Sequence, residues 1–277
     1  IVSDPLPQII DGVPVDVRSV SVNADRPEFT LNPTSCAEKS FNGQITSGLG
    51  QLAPIFERFQ VGGCSSLPFK PKLSARLFGP IHRGGHPSLR AVLTAKPGEA
   101  NIASLSFTLP HSEFIDQGHF RTICTRVQFA AEQCPPGSIY GHVTATSPLV
   151  DYPLEGPVYL RSSVHKLPDA VASLHGPPSQ PIAFEGAARV DSVKGRLRAR
   201  VETFPDAPIG KVTIVMQGGK KGLFQNSTNI CKGKQRIAVS FVGQNGKAHK
   251  ITPLLKAQCG KSSGKGKKAK RGGHRRR

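Results

Sequence analysis

Self-similarity constrains this chain more than any single motif, because a repeat fixes a set of equivalent units before any element is assigned. Leu89-Arg90-Ala91, Leu93 and Pro97 recur at identical spacing as Leu197-Arg198-Ala199, Val201 and Pro205. With one residue inserted in the earlier copy, Ile102, Leu105, Phe107, Leu109 and Cys124 then fall on Ile209, Val212, Ile214, Met216 and Cys231. A further copy begins mid-unit: Pro14-Val15, Val20, Val22 and Cys36 match Pro208-Ile209, Ile214, Met216 and Cys231 with one residue's slip. The repeat predicts the C-terminal part of a first module at 1–66, a second module at 67–165 and a third at 166–260, followed by a tail at 261–277.

The six cysteines follow the same period. Cys36 and Cys64 are 28 positions apart, as are Cys231 and Cys259, while Cys124 and Cys134 are ten apart. Each long interval holds two alternating segments about a turn, Gly48-Leu49-Gly50-Gln51 in one and Gln244-Asn245-Gly246-Lys247 in the other, the second carrying the Asn-Gly hairpin signal. Three sequential disulfides are the expected pairing, although six cysteines allow fifteen connectivities. Closing such an interval should stabilise a module by about 3.6 kcal/mol on the chain-entropy estimate. A metal site would call for Cys-x-x-Cys knuckles, and the sequence has none. Disulfides imply an oxidising compartment, extracellular or at the cell surface.

Tryptophan is absent and aromatics make up 6%, while short Val, Ile, Thr and Phe-rich runs alternate with Gly, Pro and Asn about every ten residues. That pattern predicts an all-β fold of tandem Ig-like β-sandwich modules with disulfide-stapled hairpins. One helical turn is expected between Pro110 and Cys124, capped by Ser112 with Glu113 and Asp116 near its start. No run of 18 apolar residues occurs, so no transmembrane segment is expected.

Motifs of chemistry are sparse. Gly48-Leu49-Gly50-Gln51-Leu52-Ala53 has the form of a dinucleotide fingerprint, but Pro54 follows at once and a hairpin turn is the better reading. Gly218-Gly219-Lys220-Lys221-Gly222 lacks phosphate-loop spacing and reads as a turn. His111, Glu113, Asp116 and His119 form the densest group of ionisable residues. On a helix Asp116 and His119 would share a face and His111 and Glu113 would not, which leaves too few convergent ligands for a metal. The expectation is therefore a polar connecting segment, with no catalytic, cofactor or metal residues and no small-molecule substrate. His82 and His86 flank Arg83-Gly84-Gly85 and read as a surface turn. Asn226-Ser227-Thr228 fits the glycosylation acceptor pattern.

The net charge is +19, and nine of those charges are Lys261, Lys265, Lys267, Lys268, Lys270, Arg271, Arg275, Arg276 and Arg277. A segment of Lys, Arg, Gly and Ser without an acid cannot bury a core and is expected to be disordered. It would attract polyanions; the absence of aromatic stacking residues there, and the cysteines elsewhere, favour anionic cell-envelope polymers over nucleic acid.

Three stretches resemble uncharacterised exported proteins of high-GC actinobacteria. They are Phe29-Thr30-Leu31-Asn32-Pro33-Thr34-Ser35-Cys36, the run from Ile123 through Cys134-Pro135-Pro136-Gly137 to Gly141, and Gln217-Gly218-Gly219-Lys220-Lys221-Gly222-Leu223 continuing to Cys231. The resemblance covers most of residues 1–260 and implies export without an activity to carry over. The sequence thus points to a non-enzymatic secreted cell-surface or wall-associated protein, structural or adhesive, whose tail interacts with envelope polymer. A carbohydrate- or polymer-binding module is the alternative, and a hydrolase using the His111–His119 segment is a third.

Overall fold

The structure is a computed structural model that describes residues 3–23, 30–180 and 182–259. These divide into two compact units at Asn32. In the first, β1 (Ile9–Ile10) and β2 (Val13–Pro14) pair around Asp11 and Gly12, both at positive φ as a type I′ turn requires. Val15–Asn23, whose apolar residues match strand positions of the repeat, joins no ladder.

The second unit opens with a hairpin of β3 (Lys39–Thr46) and β4 (Leu52–Phe59). The register sets Gly43 opposite Ile55 and Ile45 opposite Ala53. One face therefore carries Phe41, Ile45, Ile55 and Phe59 in alternation, and Phe41, Ile45 and Ile55 on it are exposed.

The remaining strands are β5 (Lys72–Phe78), β6 (Ser88–Thr94), β7 (Ile102–Thr108), β8 (Glu113–Ile115), β9 (Ile139–Thr146), β10 (Leu154–Arg161), β11 (Asp169–His175), β12 (Ala183–Val193) and β13 (Arg196–Val201). They continue with β14 (Lys211–Met216), β15 (Phe224–Asn226), β16 (Ala238–Gly243), β17 (Ala248–Ile251) and β18 (Leu255–Ala257). β8 and β15 pair with each other. The other twelve strands from β5 onward form one sheet in the order β17-β16-β7-β13-β12-β11-β10-β9-β14-β6-β5-β18. Neighbours are antiparallel except β18, which lies parallel to β5.

That order turns the sequence repeat into a topology. The repeat equates β6 with β13 and β7 with β14, and chain order with sheet position then makes β5 the counterpart of β12, β9 of β16 and β10 of β17. Read from β10 the sheet runs β10-β9-β14-β6-β5-β18, and read from β17 it runs β17-β16-β7-β13-β12-β11. These are the same succession twice, with β7 and β14 exchanged between the copies. The registers agree: Ala91 faces Ile214 and Leu93 faces Val212, while Ala199 faces Phe107 and Val201 faces Leu105. The tandem Ig-like modules expected from the repeat are instead two interleaved halves of a single curled sheet. The boundary expected after residue 165 falls between β10 and β11, which pair, and the copies join in the loop between β11 and β12 because β11 occupies the place of β18.

One core serves both halves, running from Leu73, Leu77 and Leu89 through Tyr140 and Leu160 to Leu197, Val239, Phe241 and Leu255. β17 leads into β18 across Thr252-Pro253-Leu254, so the chain itself bridges the two ends of the sheet. Disulfides join Cys36 to Cys64, Cys124 to Cys134 and Cys231 to Cys259, the pairs that the spacing predicts. The last ties β18 back to the segment ahead of β16.

The helical turn lies later than expected. Residues 113–115 are β8, and a short 3-10 turn at Gln117–His119 follows, with Asp116 accepting from the Gly118 N–H. The helix, α1, is Arg126–Ala130. Its start is fixed by a capping box: Thr125 Oγ1 accepts from the Gln128 N–H, and the Gln128 side chain accepts from the Thr125 N–H. Among the described residues no helix is long and apolar enough to cross a membrane.

Candidate functional site

Alternation decides what the curled sheet encloses. Every second side chain of nine successive strands, from β7 across to β5, points inward, among them Leu89, Ala91 and Leu93 on β6 and Ala170, Ala172 and Leu174 on β11. The small residues stand where the large ones of other strands converge, and they leave a cavity of about 430 Å³. Its walls are almost wholly aliphatic and aromatic, with Phe107, Phe184 and Phe204 among them.

The two ends differ. At the end where β9 stops and β14 starts, the loops contribute Ser147, Leu149, Val150, Pro205, Ala207 and Pro208. The hydroxyls at this mouth are already engaged: Ser147 Oγ donates to the Pro208 carbonyl, and Thr146 Oγ1 accepts from the Lys211 N–H. Leu149 and Ile182 stand exposed at the same rim. At the opposite end Leu223 and Phe224, held by the β8–β15 pair, line the floor.

A polar cluster is built on the floor's outer side. His86, in the turn between β5 and β6, places Nε2 2.9 Å from Asp116 Oδ2. His119 places its Nε2 3.9 Å from the same oxygen, and its ring stacks on that of His86 with centroids 4.3 Å apart. His119 Nδ1 donates to the Gly222 carbonyl at 2.7 Å, and the Gln225 amide lies 3.3 Å from His86 Nε2. The hydrogen bond from His86 holds the Asp116 carboxyl below its usual range, with the Gly118 N–H and the charge of His119 adding to the effect. The three side chains are partly buried, 18 to 26% exposed.

Of the four residues grouped by sequence, the structure brings together only Asp116 and His119. Glu113, on β8 opposite Asn226 of β15, is buried; Ser112 lies beside it, but neither carboxylate oxygen has a well-formed hydrogen bond. Burial therefore pushes its carboxyl up to about 8, offset only in part by the Ser112 hydroxyl. His111 joins the neighbouring loop through its carbonyl, which accepts from Ser227 Oγ. His86, read as a surface turn, is the third member of the cluster, while His82 stays exposed and bonds the carbonyl of Arg83. No local signal marks His86, since only the pairing of β5 with β6 and the approach of β8 bring it to Asp116. Asn226 is buried and donates to the carbonyls of Pro80 and His82, so in the fold it is not a glycosylation acceptor.

A second, open depression is lined by His165, Lys166, Arg189 and Asp191, with Phe114 as its one aromatic side chain. Asp191 is occupied there: Arg198 clasps both its oxygens at 2.8 and 2.7 Å, and this lowers the Asp191 carboxyl below its usual range. The nine basic tail residues from Lys261 to Arg277 lie outside the described residues. The features on which function can rest are thus an apolar cavity with one lipophilic rim and a compact His–Asp cluster. No family model, no curated protein and no solved structure matches the chain.

Proposed function

We propose that the curled sheet is a non-enzymatic, exported binding module that carries an uncharged, elongated apolar molecule in its interior. The cavity carries this reading: it is lined by alternating apolar side chains of nine strands and has no charged lining group and no free hydroxyl at its mouth. Ligand sites of this kind are concave, preformed and mostly apolar. Each methylene taken from water into such a space contributes about 0.8 kcal/mol, so a hydrocarbon chain suffices for affinity without a polar anchor. The exposed Leu149 and Ile182 give the rim an apolar surface from which a lipid-like molecule can enter. A carbohydrate would need unsatisfied polar groups along a groove, and the open depression near Asp191 has its carboxylate already clasped. Three disulfides favour an extracellular or cell-surface setting, where the basic tail would add attraction for anionic envelope polymer.

The test is titration of the full chain with the neutral fluorophore N-phenyl-1-naphthylamine, followed by displacement with dodecanol. One saturable site per chain is expected. Ala91→Phe and Ala199→Phe, at equivalent inward positions of β6 and β13, should each weaken it at least tenfold with the circular dichroism spectrum unchanged. Equal binding by both variants would place the probe on an outer surface, such as the exposed face of the β3–β4 hairpin, and would end the proposal.

A further inference from the structure

We propose that His86, Asp116 and His119 form a binding site for a divalent first-row transition metal of the zinc class. One ligand atom from each lies within 4.8 Å of the others. A tetrahedral centre with bonds of 2.0–2.1 Å sets its ligand atoms about 3.4 Å apart. The distances from Asp116 Oδ2, 2.9 Å to His86 Nε2 and 3.9 Å to His119 Nε2, bracket that value. The two imidazoles, stacked with planes 22° apart, would turn out of the stack so that both ring lone pairs converge on an ion beside Asp116.

The surroundings orient the donors. Because His119 Nδ1 donates to the Gly222 carbonyl, that nitrogen keeps its proton and Nε2, on the side of Asp116, is the nitrogen that would give up its proton to ligate. A carbonyl that fixes the tautomer of a ligating histidine is the usual outer support of such sites. Gly222 also lets its backbone pack against His86, since a Cβ there would lie 2.8 Å from His86 Cβ. The donors come from two separate segments, the β5–β6 turn and the 3-10 turn after β8, while the loop ahead of β15 supplies the supporting carbonyl of Gly222. Two imidazoles and a carboxylate suit zinc, cobalt, nickel or ferrous iron; calcium and magnesium prefer oxygen donors, and cuprous copper prefers thiolates. Three protein ligands with partial exposure leave a coordination position for water, the open pattern rather than the closed structural one. This site stands on the outer side of the cavity floor and does not depend on what the cavity holds.

The experiment uses the full chain stripped with a chelator and titrated with Co²⁺ by visible absorption and with Zn²⁺ by calorimetry. One metal per chain is expected, bound at micromolar concentration or tighter. His86→Ala and His119→Ala should each weaken binding at least 100-fold and Asp116→Asn at least tenfold, while His82→Ala on the adjoining exposed turn should bind as the wild type does. Metal-free thermal melts separate loss of ligands from loss of fold. Zn²⁺ should raise the melting temperature of the wild type and of His82→Ala, and leave the others unmoved. Should His119→Ala fail to fold, His119→Gln keeps the bulk of the side chain and serves in its place. No uptake by the folded wild type would overturn the assignment, as would uptake that survives both histidine substitutions.

Discussion

Glu113 and Asp206 are both carboxylates withdrawn from water, and their surroundings push them in opposite directions. Burial raises the Asp206 carboxyl, but hydrogen bonds from Asn101 Nδ2, from the N–H and hydroxyl of Thr34 and from the Ser35 N–H outweigh it, so the net shift is downward. Asp206 therefore contributes stability at neutral pH that is lost on acidification. Glu113 has burial with only the partial offset of the Ser112 hydroxyl, and its carboxyl rises from 4.5 to about 8. Between those values the folded chain holds a proton that the unfolded chain releases. Stability should thus fall as pH rises through this window, by at most about 1.4 kcal/mol per pH unit from this one group. Glu113→Gln removes the titration while keeping the shape. Urea midpoints should show the variant gaining on the wild type from pH 5 to pH 8; parallel curves would mean that Glu113 is hydrated in solution.

Strands β7 and β14 are the elements on which the architecture turns, since each is flanked on both sides by strands of the other copy. A half expressed alone, residues 67–175 or 176–259, lacks the strand that belongs between its own β6 and β9, or its own β13 and β16. Neither half should fold as a monomer, whereas mixing the two should restore the near-ultraviolet circular dichroism of the intact chain. A half that gives a dispersed amide spectrum as a monomer would refute the exchange. This pairing was only partly legible in the sequence. The repeat, the hairpin turns and the positions of strands such as Lys72–Phe78, Ile139–Thr146 and Lys211–Met216 follow from alternation and spacing, which are local. Whether Phe107 pairs with Ala91 of its own copy or Ala199 of the other is not local, because both sites offer the same neighbours. The short strands β8, β15 and β18 were illegible for a related reason: three residues carry no period, and tertiary packing creates them. The His–Asp cluster shares that fate, since His86 reaches Asp116 only through the fold.

At the scale of the whole molecule, charge and apolar surface are kept apart. The chain carries +19, yet the cavity lining holds no ionisable side chain. Nine of the positive charges fall in 261–277, and a polyelectrolyte partner should read their number more than their order. Deleting 261–277 should lower the salt concentration needed to elute the protein from a polyglutamate column, and a scrambled tail should elute with the wild type. Unchanged elution of the deletion would assign the affinity to the rest of the chain. The exchange of β7 and β14 has a further consequence, one of descent. Two copies that each complete the other form the arrangement that two separate chains make when they trade a strand about a twofold axis. The present sheet thus has the form of such a swapped homodimer fused into one chain: β14 on β6 and β9 repeats β7 on β13 and β16, while the parallel β5–β18 pair and the antiparallel β11–β12 pair do not correspond. Fusion then freed each copy to diverge, and α1 with its Cys124–Cys134 bond, like the His–Asp pair after β8, belongs to the first alone.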